Sequence, residues 1–328
     1  MQDSVLSVNQ LAMTYRVPVR EPGLRAALCA FARREFREVQ AVRDVSFNIA
    51  AGELVGFIGP NGAGKTTTLK LLSGVLHPTG GAAQVLGFTP YQRDPHYLRQ
   101  IAMIRGSRPL AVAGELTVLD ALHFQQLVYD VDERSFKRNL DELTTMLDLS
   151  KLLDRQVRAL SLGERMRCGL ACSLIYHPRV LFLDEPTLGL DVSAIGAMRR
   201  FIADYNRETQ ATILLTSHYM ADVEQLCKRV LLINRGELVF DGELSILAAR
   251  ASSAKILKVS LGETQLTPKW CDYGEVVAQA EDGVSLSVPR EHLPAVTARL
   301  LAQLPVADIT IAEPPLENVI DRVYREGV

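Results

Sequence analysis

The sequence predicts an α/β fold with a mostly parallel sheet, followed by a small α+β domain. Apolar runs with the length of buried strands occur at 53–59, 180–184, 212–217 and 230–234. Helical patterns separate these runs, and strands that alternate with helices favour a parallel sheet covered on both faces. After about residue 250 the pattern becomes strand, hairpin, helix and strand. We therefore predict one domain over 1–248 and a second over 249–328, which ends in a helix over "PLENVIDRVYREG".

The segment before the first strand of the central sheet is predicted to form an antiparallel β edge. "SVLSVNQLAMTYRV" alternates apolar and polar residues and predicts a strand that ends near Tyr15, and "AVRDVSFNIA" predicts a second. Between them, "EPGLRAALCAFARREFREV" predicts a short basic helix, because its apolar residues fall near helical spacing, at Leu24, Leu28, Phe31 and Phe36. Such a helix is either a solvated surface element or a segment that faces a membrane or a partner.

A helical insertion is predicted over about 107–178. Thr117 and Asp132 each precede a helical pattern, and side chains of these types cap helix N-termini. In the second pattern one apolar stripe predicts packing within this subdomain, through Phe136, Leu140, Leu143 and Leu147.

Composition narrows the classes of function. A net charge of −2 argues against a general nucleic-acid binder. No run approaches the roughly 18 apolar residues of a membrane span, and the first residues do not resemble a secretory signal. The five cysteines form no CxxC pair, which indicates buried thiols in a reducing compartment. We therefore expect a cytoplasmic protein that reaches a membrane only through a partner.

A phosphate-binding loop is the most specific motif. "GPNGAGKT" matches G-x-x-x-x-G-K-[ST] through Gly59, Gly62, Gly64, Lys65 and Thr66, and lies between a buried strand and a helix. Backbone N–H groups of such a loop, which here also contains Asn61 and Thr67, bind phosphate oxygens at a helix N-terminus. Lys65 is expected to reach the β and γ phosphates and the Thr66 hydroxyl to ligate Mg²⁺.

Two acids and one histidine follow sheet strands. Asp184 and Glu185 end the apolar run "RVLFLDE", where an open α/β sheet binds its ligands. We expect Asp184 to hold Mg²⁺ through water and Glu185 to orient or deprotonate the attacking water. A lone histidine is more often structural than catalytic, but His218 ends the strand "TILLTSH" and could reach a γ-phosphate there.

The motifs "GPNGAGKT", "LSLGE", "VLFLDEP", "LGLD" and "SH", in this order, resemble the ATPase subunit of an ABC transporter over about residues 5–245. The resemblance implies a P-loop NTPase of the ABC type, with ATP and Mg²⁺ as its cofactors. It implies that Tyr15 stacks on adenine, although packing into the core would explain Tyr15 nearly as well. It implies further that Ser161 and Gly163 close on the γ-phosphate and that Asp191 crosses between subunits.

The family resemblance also implies partners. In the family the signature segment of one subunit completes the phosphate site of the other, so a homodimer, or a heterodimer with a related ATPase, is expected. Integral-membrane permease subunits would then place the chain at the cytoplasmic face of the cell membrane. No nucleic-acid partner is expected.

Two segments depart from the family pattern. Leu162 stands where a second signature glycine is usual, and Glu164 where glutamine is usual. We expect Glu164 to lie along the helix start, where negative charge is favoured. The usual metal-contacting glutamine falls on Gly106 or Ser107, which leaves Ser107 as a weaker candidate metal ligand.

The signature, the arginine-rich insertion and the C-terminal domain resemble type-2 ABC exporters, so export is the expected direction. The alternatives are an importer ATPase and, less favoured, a soluble ABC protein. Soluble translation factors of this superfamily carry two ATPase modules, and this chain has one set of motifs. The guanine-specifying Asn-Lys-x-Asp of a GTPase is missing. The C-terminal domain either contacts its twin or the permease, or only stabilises the chain.

Overall fold

The computed structural model describes residues 4–18, 36–108, 110, 112–217, 219–251, 254–262, 268–280, 283–313, 320 and 324. The chain divides into two compact units, Met1–Asp241 and Gly242–Val328. Along the described chain up to residue 243 the strands are β1 (Ser4–Pro18), β2 (Phe36–Ala50), β3 (Leu54–Ile58), β4 (Gly80–Val85), β5 (Ile101–Arg105), β6 (Val180–Asp184), β7 (Thr212–Thr216), β8 (Arg229–Asn234) and β9 (Glu237–Glu243). The helices are α1 (Lys65–Leu72), α2 (Pro95–Leu98), α3 (Val118–Tyr129), α4 (Glu133–Leu147), α5 (Leu162–Leu174), α6 (Val192–Thr209) and α7 (Met220–Leu226).

The central sheet has the strand order β5-β6-β7-β3-β8-β9. The pairs β5–β6, β6–β7, β7–β3 and β3–β8 are all parallel. Strands β6 and β7 are buried along their whole length, which explains their uninterrupted apolar sequences. Because neighbouring parallel strands end at one edge, the loops after β3, β6 and β7 lie close together there. The predicted α/β class with a mostly parallel sheet is confirmed.

The antiparallel edge is a separate three-stranded sheet of order β2-β1-β4. Strand β2 begins at Phe36, where Phe36 pairs with Pro18, and Val39 pairs with Tyr15. The predicted basic helix was therefore wrong at its C-terminal end, residues 36–39. There, long-range pairing with β1 satisfies the backbone and overrides a helical spacing of apolar residues. The rest of that prediction, over 21–35, lies outside the described residues.

Helices α3, α4 and α5 follow β5 along the chain before it returns to β6. Both predicted caps are confirmed: the Thr117 side chain accepts from Asp120 N and the Asp132 side chain from Ser135 N. The predicted apolar stripe of α4 packs inward. Phe136, Leu143 and Leu147 are buried and Leu140 is half-buried.

The second unit contains helices α8 (Leu244–Ala251) and α9 (Leu293–Gln303) and strands β10 (Ala254–Leu261), β11 (Glu275–Ala280), β12 (Gly283–Pro289) and β13 (Val306–Ala312). Its strands form an antiparallel sheet of order β11-β12-β10-β13. Leu257, Leu286 and Leu300 form the centre of its own core. The small α+β domain is confirmed as a class. The predicted last helix lies outside the described residues except at Ile320 and Tyr324.

Three of the cysteines, Cys168, Cys172 and Cys227, are buried thiols as predicted. Cys271 is exposed, so the prediction of a buried residue was wrong there, and Cys29 lies outside the described residues. Within the described part of the chain, no helix has the length and hydropathy to cross a bilayer.

Candidate active site

The phosphate loop connects β3 to α1. Gly64, the N-cap of α1, has φ +111, and a Cβ there would lie 2.4 Å from Ala41 O, so only glycine fits. Among the described residues, no side chain caps this helix. Its first N–H groups are therefore available to an anion, and the helix dipole favours negative charge at the same place.

Lys65 is buried beneath this loop. Its Nζ donates to the carbonyl oxygens of Gly59 at 2.5 Å and Pro60 at 3.0 Å. Burial lowers the pKa of Lys65, and the charges of Glu185 and Asp184 oppose that shift. The loop therefore holds the lysine head close to both predicted acids.

Asp184 joins the phosphate loop to the end of β6. The Thr66 hydroxyl lies 2.9 and 3.0 Å from its two carboxylate oxygens, and the Thr216 hydroxyl donates to Oδ1 at 3.0 Å. Asp184 is only 8% exposed. The two residues predicted to share Mg²⁺ are thus adjacent. Oxygen atoms of hydroxyl and carboxylate groups are the ligands that Mg²⁺ prefers.

Glu185 begins the loop after β6 in an uncommon backbone conformation, with φ 55. Its N–H lies 3.1 Å from both the carbonyl oxygen and the hydroxyl of Thr216 at the end of β7. The side chain is half-buried. Thr216 therefore holds the main chain of Glu185 and the carboxylate of Asp184 at the same time.

Thr216 was not among the predicted site residues. The available signal was a polar residue that ends the apolar strand "TILLT".

The turn after β5 lies against Glu185. Gly106 N donates to Asp184 O at 2.9 Å, and a Cβ at Gly106 would lie 1.9 Å from Glu185 O. No side chain fits at this position, so a glutamine could not occupy it. Ser107 is the next residue and is exposed. It is the one of the two candidate positions that tolerates a side chain.

The signature segment forms the N-terminus of α5. The Ser161 hydroxyl accepts from Glu164 N at 3.3 Å, and Glu164 accepts from Ser161 N at 2.8 Å, which is a capping box. Arg155 donates to the same carboxylate at 2.7 Å. The hydrogen bond from the Ser161 backbone, with Arg155 adding to it, lowers the pKa of Glu164. Glu164 thus lies along the helix start, as predicted.

Leu162 packs beside Gly189 in the loop that leads into α6, and Gly163 faces the first turn of α6. A Cβ at Gly189 would lie 3.2 Å from Leu162 Cδ2, and one at Gly163 would lie 3.7 Å from the Ala194 Cβ. Leu162 remains 45% exposed. Its side chain therefore takes up space beside the loop after Glu185 rather than beside the phosphate loop.

Asp191 caps α6 by accepting from Ala194 N at 2.8 Å, and is exposed. With Ser161 and Gly163 it lines a cavity of about 410 Å³ between α5 and α6. Within the described residues, no member of the 59–67 loop lines this cavity. The structure therefore forms two groups, one around Lys65, Thr66 and Asp184 and one around Ser161.

The remaining predicted site residues occupy different environments. Tyr15 is half-buried and packs against the core between the sheets, and Asn61 is exposed in the phosphate loop. Gly62 has φ +78 in that loop, and Thr67 is half-buried in the first turn of α1. His218 lies outside the described residues.

Comparisons with known proteins agree with this geometry. A family model described as "ABC transporter" matches residues 42–188, which include the phosphate loop, the signature segment and both acids. A model described as "EvrA-like ABC transporter, C-terminal domain" matches residues 253–312.

Individual relatives span more of the chain. The ABC transporter ATP-binding protein NatA of Bacillus subtilis is 34% identical over 209 residues, which cover 64% of this chain and 84% of NatA. The doxorubicin resistance ATP-binding protein DrrA of Mycobacterium tuberculosis is 30% identical over 303 residues, which cover 86% of this chain and 88% of DrrA. A solved ATP-binding subunit of an ABC transporter superposes with a TM-score of 0.62 at 27% identity, over 75% of this chain and 93% of that one.

The family model covers the phosphate loop, the acidic strand end and the signature segment, and the share of the chain that DrrA covers exceeds the first unit. The chain belongs to the ATP-binding proteins of ABC transporters, and it is an ATP-binding, ATP-hydrolysing subunit of that family.

Proposed function

We propose that this chain hydrolyses Mg-ATP with Lys65, Glu185 and His218 as its catalytic residues, and that it drives a separate exporter permease. The contact of the Thr66 hydroxyl with both oxygens of Asp184 is the observation that carries the proposal. It places the phosphate loop against the strand end that carries Glu185. An anion bound at the start of α1 would therefore lie beside both acids.

Residues of the phosphate loop, together with Tyr15 and His218, bind ATP. The N–H groups at the start of α1 and the buried Lys65 ammonium bind its phosphates, together with the loop residues Asn61 and Thr67. Tyr15 contacts the adenine. His218 contacts the γ-phosphate.

The residues present fit Mg²⁺. The Thr66 hydroxyl would ligate the ion directly, and Asp184 would hold one of its waters. Ser107 is exposed in the adjoining turn and is a further, weaker candidate. Within the described residues, no cluster of three or more His, Cys, Asp or Glu side chains could hold a metal, which suits an ion bound mainly by water and phosphate. Bound Mg²⁺ would neutralise phosphate charge.

Glu185 is the general base. Its backbone is held by β7, and its half-buried carboxylate follows the strand whose last residue contacts Thr66. In this position it takes a proton from the water that attacks the γ-phosphate. The amide of glutamine cannot accept this proton, so Glu185→Gln should bind ATP without hydrolysing it.

A second copy completes the site. Ser161, Gly163 and Asp191 line a separate cavity whose described lining does not include residues 59–67, which supports a role for them at the phosphate site of another subunit. The N-terminus of α5 supplies N–H groups and a dipole for a γ-phosphate. ATP would then join two copies head to tail, and hydrolysis would let them separate. The partner is a second copy of this chain or a related ATPase.

The direction of transport is inferred from similarity to named relatives. DrrA, a doxorubicin resistance protein by name, aligns over both units of this chain. We infer from this an exporter that acts at the cytoplasmic face of the cell membrane through permease subunits. A six-span membrane protein encoded beside this chain would support export. A periplasmic binding protein there would favour import.

The catalytic assignment is tested with Glu185→Gln. Gel filtration of the purified full chain in Mg-ATP should show a dimer for this variant, because the nucleotide persists between the subunits. The matched control is Lys65→Ala combined with Glu185→Gln, which should stay monomeric because phosphate binding is lost. A Glu185→Gln variant that hydrolyses ATP at the wild-type rate, or that stays monomeric, would overturn the assignment.

A further inference from the structure

Asp222, in the first turn of α7, is a buried acid that the chemistry above does not use. It is 1% exposed. Its Oδ2 accepts from the hydroxyls of Thr187 and Ser217, each at 2.6 Å. Its Oδ1 accepts from Arg199 Nε at 2.6 Å and lies 2.5 Å from Arg199 Nη2. One carboxylate thus joins three separate segments of the chain.

Two of these segments are connected to Glu185. Thr187 is two residues after Glu185 and is itself 2% exposed. Ser217 directly follows Thr216, which holds the Glu185 N–H and the Asp184 carboxylate at the end of β7. Asp222 therefore contacts the loop that follows Glu185 and the residue that follows Thr216 at the end of β7.

The third segment is α6. Arg199 lies eight residues after Asp191, the cap of this helix, and its side chain is 17% exposed. A buried carboxylate needs both a counter-charge and hydrogen-bond donors, and here one arginine and two hydroxyls supply them. Because all three donors share this one carboxylate, removing its charge would weaken contacts to three segments together.

The backbone conformation of Glu185 depends on the contacts that surround it. Its φ of 55 is uncommon for a residue with a side chain, and such conformations persist only where the surroundings enforce them. The Thr216 contacts hold its N–H, and the Thr187 contact to Asp222 holds the loop on its C-terminal side. Without the contact of Thr187 with Asp222, this loop would lose one of the contacts that hold it.

We propose that Asp222 is a positioning residue for ATP hydrolysis, which acts on Glu185 through Thr187 and Ser217. This inference rests on the proposed role of Glu185. Asp222 contacts no member of the phosphate loop among its described partners. Its loss should therefore lower kcat and leave the KM for ATP unchanged, whereas a purely structural role would lower the melting temperature without this split.

The experiment compares Asp222→Asn with Thr187→Val in the full chain. Asparagine keeps the size of the side chain but places an amide group where one carboxylate oxygen accepted hydrogen bonds. Valine keeps the shape of threonine and deletes one donor, so it serves where Asp222→Asn fails to fold. Each variant should lose about 10- to 100-fold in kcat, the scale set by misplacing a catalytic group. The double variant should lose no more than Asp222→Asn alone, because the two changes break one connection.

The matched control is Asp241→Asn. Asp241 pairs with Arg229 at 2.8 Å and has no hydrogen bond to the segments around Glu185 among its described contacts. This variant should keep the wild-type kcat. If Asp222→Asn and Thr187→Val also keep it, while Glu185→Gln is inactive, the positioning role is overturned and the proposed function stands. If Glu185→Gln is fully active, the proposed function itself has failed.

Discussion

Substituting Gly106 tests the close approach between the turn after β5 and the loop after β6. A Cβ at this position would lie 1.9 Å from Glu185 O and 3.0 Å from Glu185 C. Contacts below 3.0 Å are essentially never seen for real Cβ atoms. Gly106→Ala must therefore displace the Glu185 peptide, or the turn itself, by about 1.1 Å, the difference between those two distances.

The displacement has a predictable cost. Misplacing a catalytic group by about 1 Å lowers the rate roughly 100-fold. Forcing one methyl group into a packed site typically lowers the free energy of unfolding by about 1–3 kcal/mol. We therefore expect Gly106→Ala to remain folded, with kcat reduced about 100-fold. Steady-state ATPase kinetics and urea denaturation of the purified full chain measure the two effects.

The control substitution is Gly196→Ala. Gly196 lies within α6, and a Cβ there would meet only the end of the Arg200 side chain, at 3.6 Å. Alanine should raise the free energy of unfolding by about 0.4–1 kcal/mol and leave kcat unchanged. A Gly106→Ala variant with the wild-type kcat and denaturation midpoint would show that the Glu185 carbonyl does not pass this closely.

Three other substitutions have defined outcomes. Thr216→Val removes a buried donor to Asp184 and should lower the free energy of unfolding by about 1–3 kcal/mol and reduce kcat. Unchanged values in denaturation and ATPase assays would contradict the hydrogen bonds from Thr216 to Asp184 and Glu185. Glu164→Gln should cost about 0.5–1 kcal/mol at neutral pH. The pKa of Glu164 is lowered in the folded protein, so the stability that its charge adds to the wild type is complete above pH 4.5. It disappears as the pH falls through the lowered pKa. Equal free energies of unfolding for the wild type and the variant at pH 7 would refute this prediction. Leu162→Gly removes the packing on Gly189 and should cost about 1–2 kcal/mol, as measured by urea denaturation; no loss would show that this contact contributes nothing.

Motifs whose physics is local were predictable from the sequence. The glycines and Lys65 of the phosphate loop, the apolar strand before Asp184 and the caps at Thr117 and Asp132 all follow from a few neighbouring residues. The orientation of Glu164 was also predictable, since it depends on the dipole of its own helix and on Ser161 three residues away.

Features that depend on distant segments were not predictable. The start of β2 at Phe36 required pairing with Pro18, which no local pattern indicates. Gly106 is required by a carbonyl oxygen 79 positions further along the chain. The sequence gives Asp222 the pattern of an exposed acid in a short helix. In the structure it is buried and accepts hydrogen bonds from Thr187, Arg199 and Ser217.

The sequence by itself therefore determined the fold class, the phosphate loop and the identity of the two acids, because short-range geometry and apolar pattern carry that information. Only the tertiary structure decided how the acids are held. The pairing of β6 with β7 brings Thr216 to Asp184, and the buried carboxylate of Asp222 connects the loop after Glu185 with the end of β7. A buried polar group takes its partners from whatever segments the fold packs around it, and that packing is a property of the whole chain.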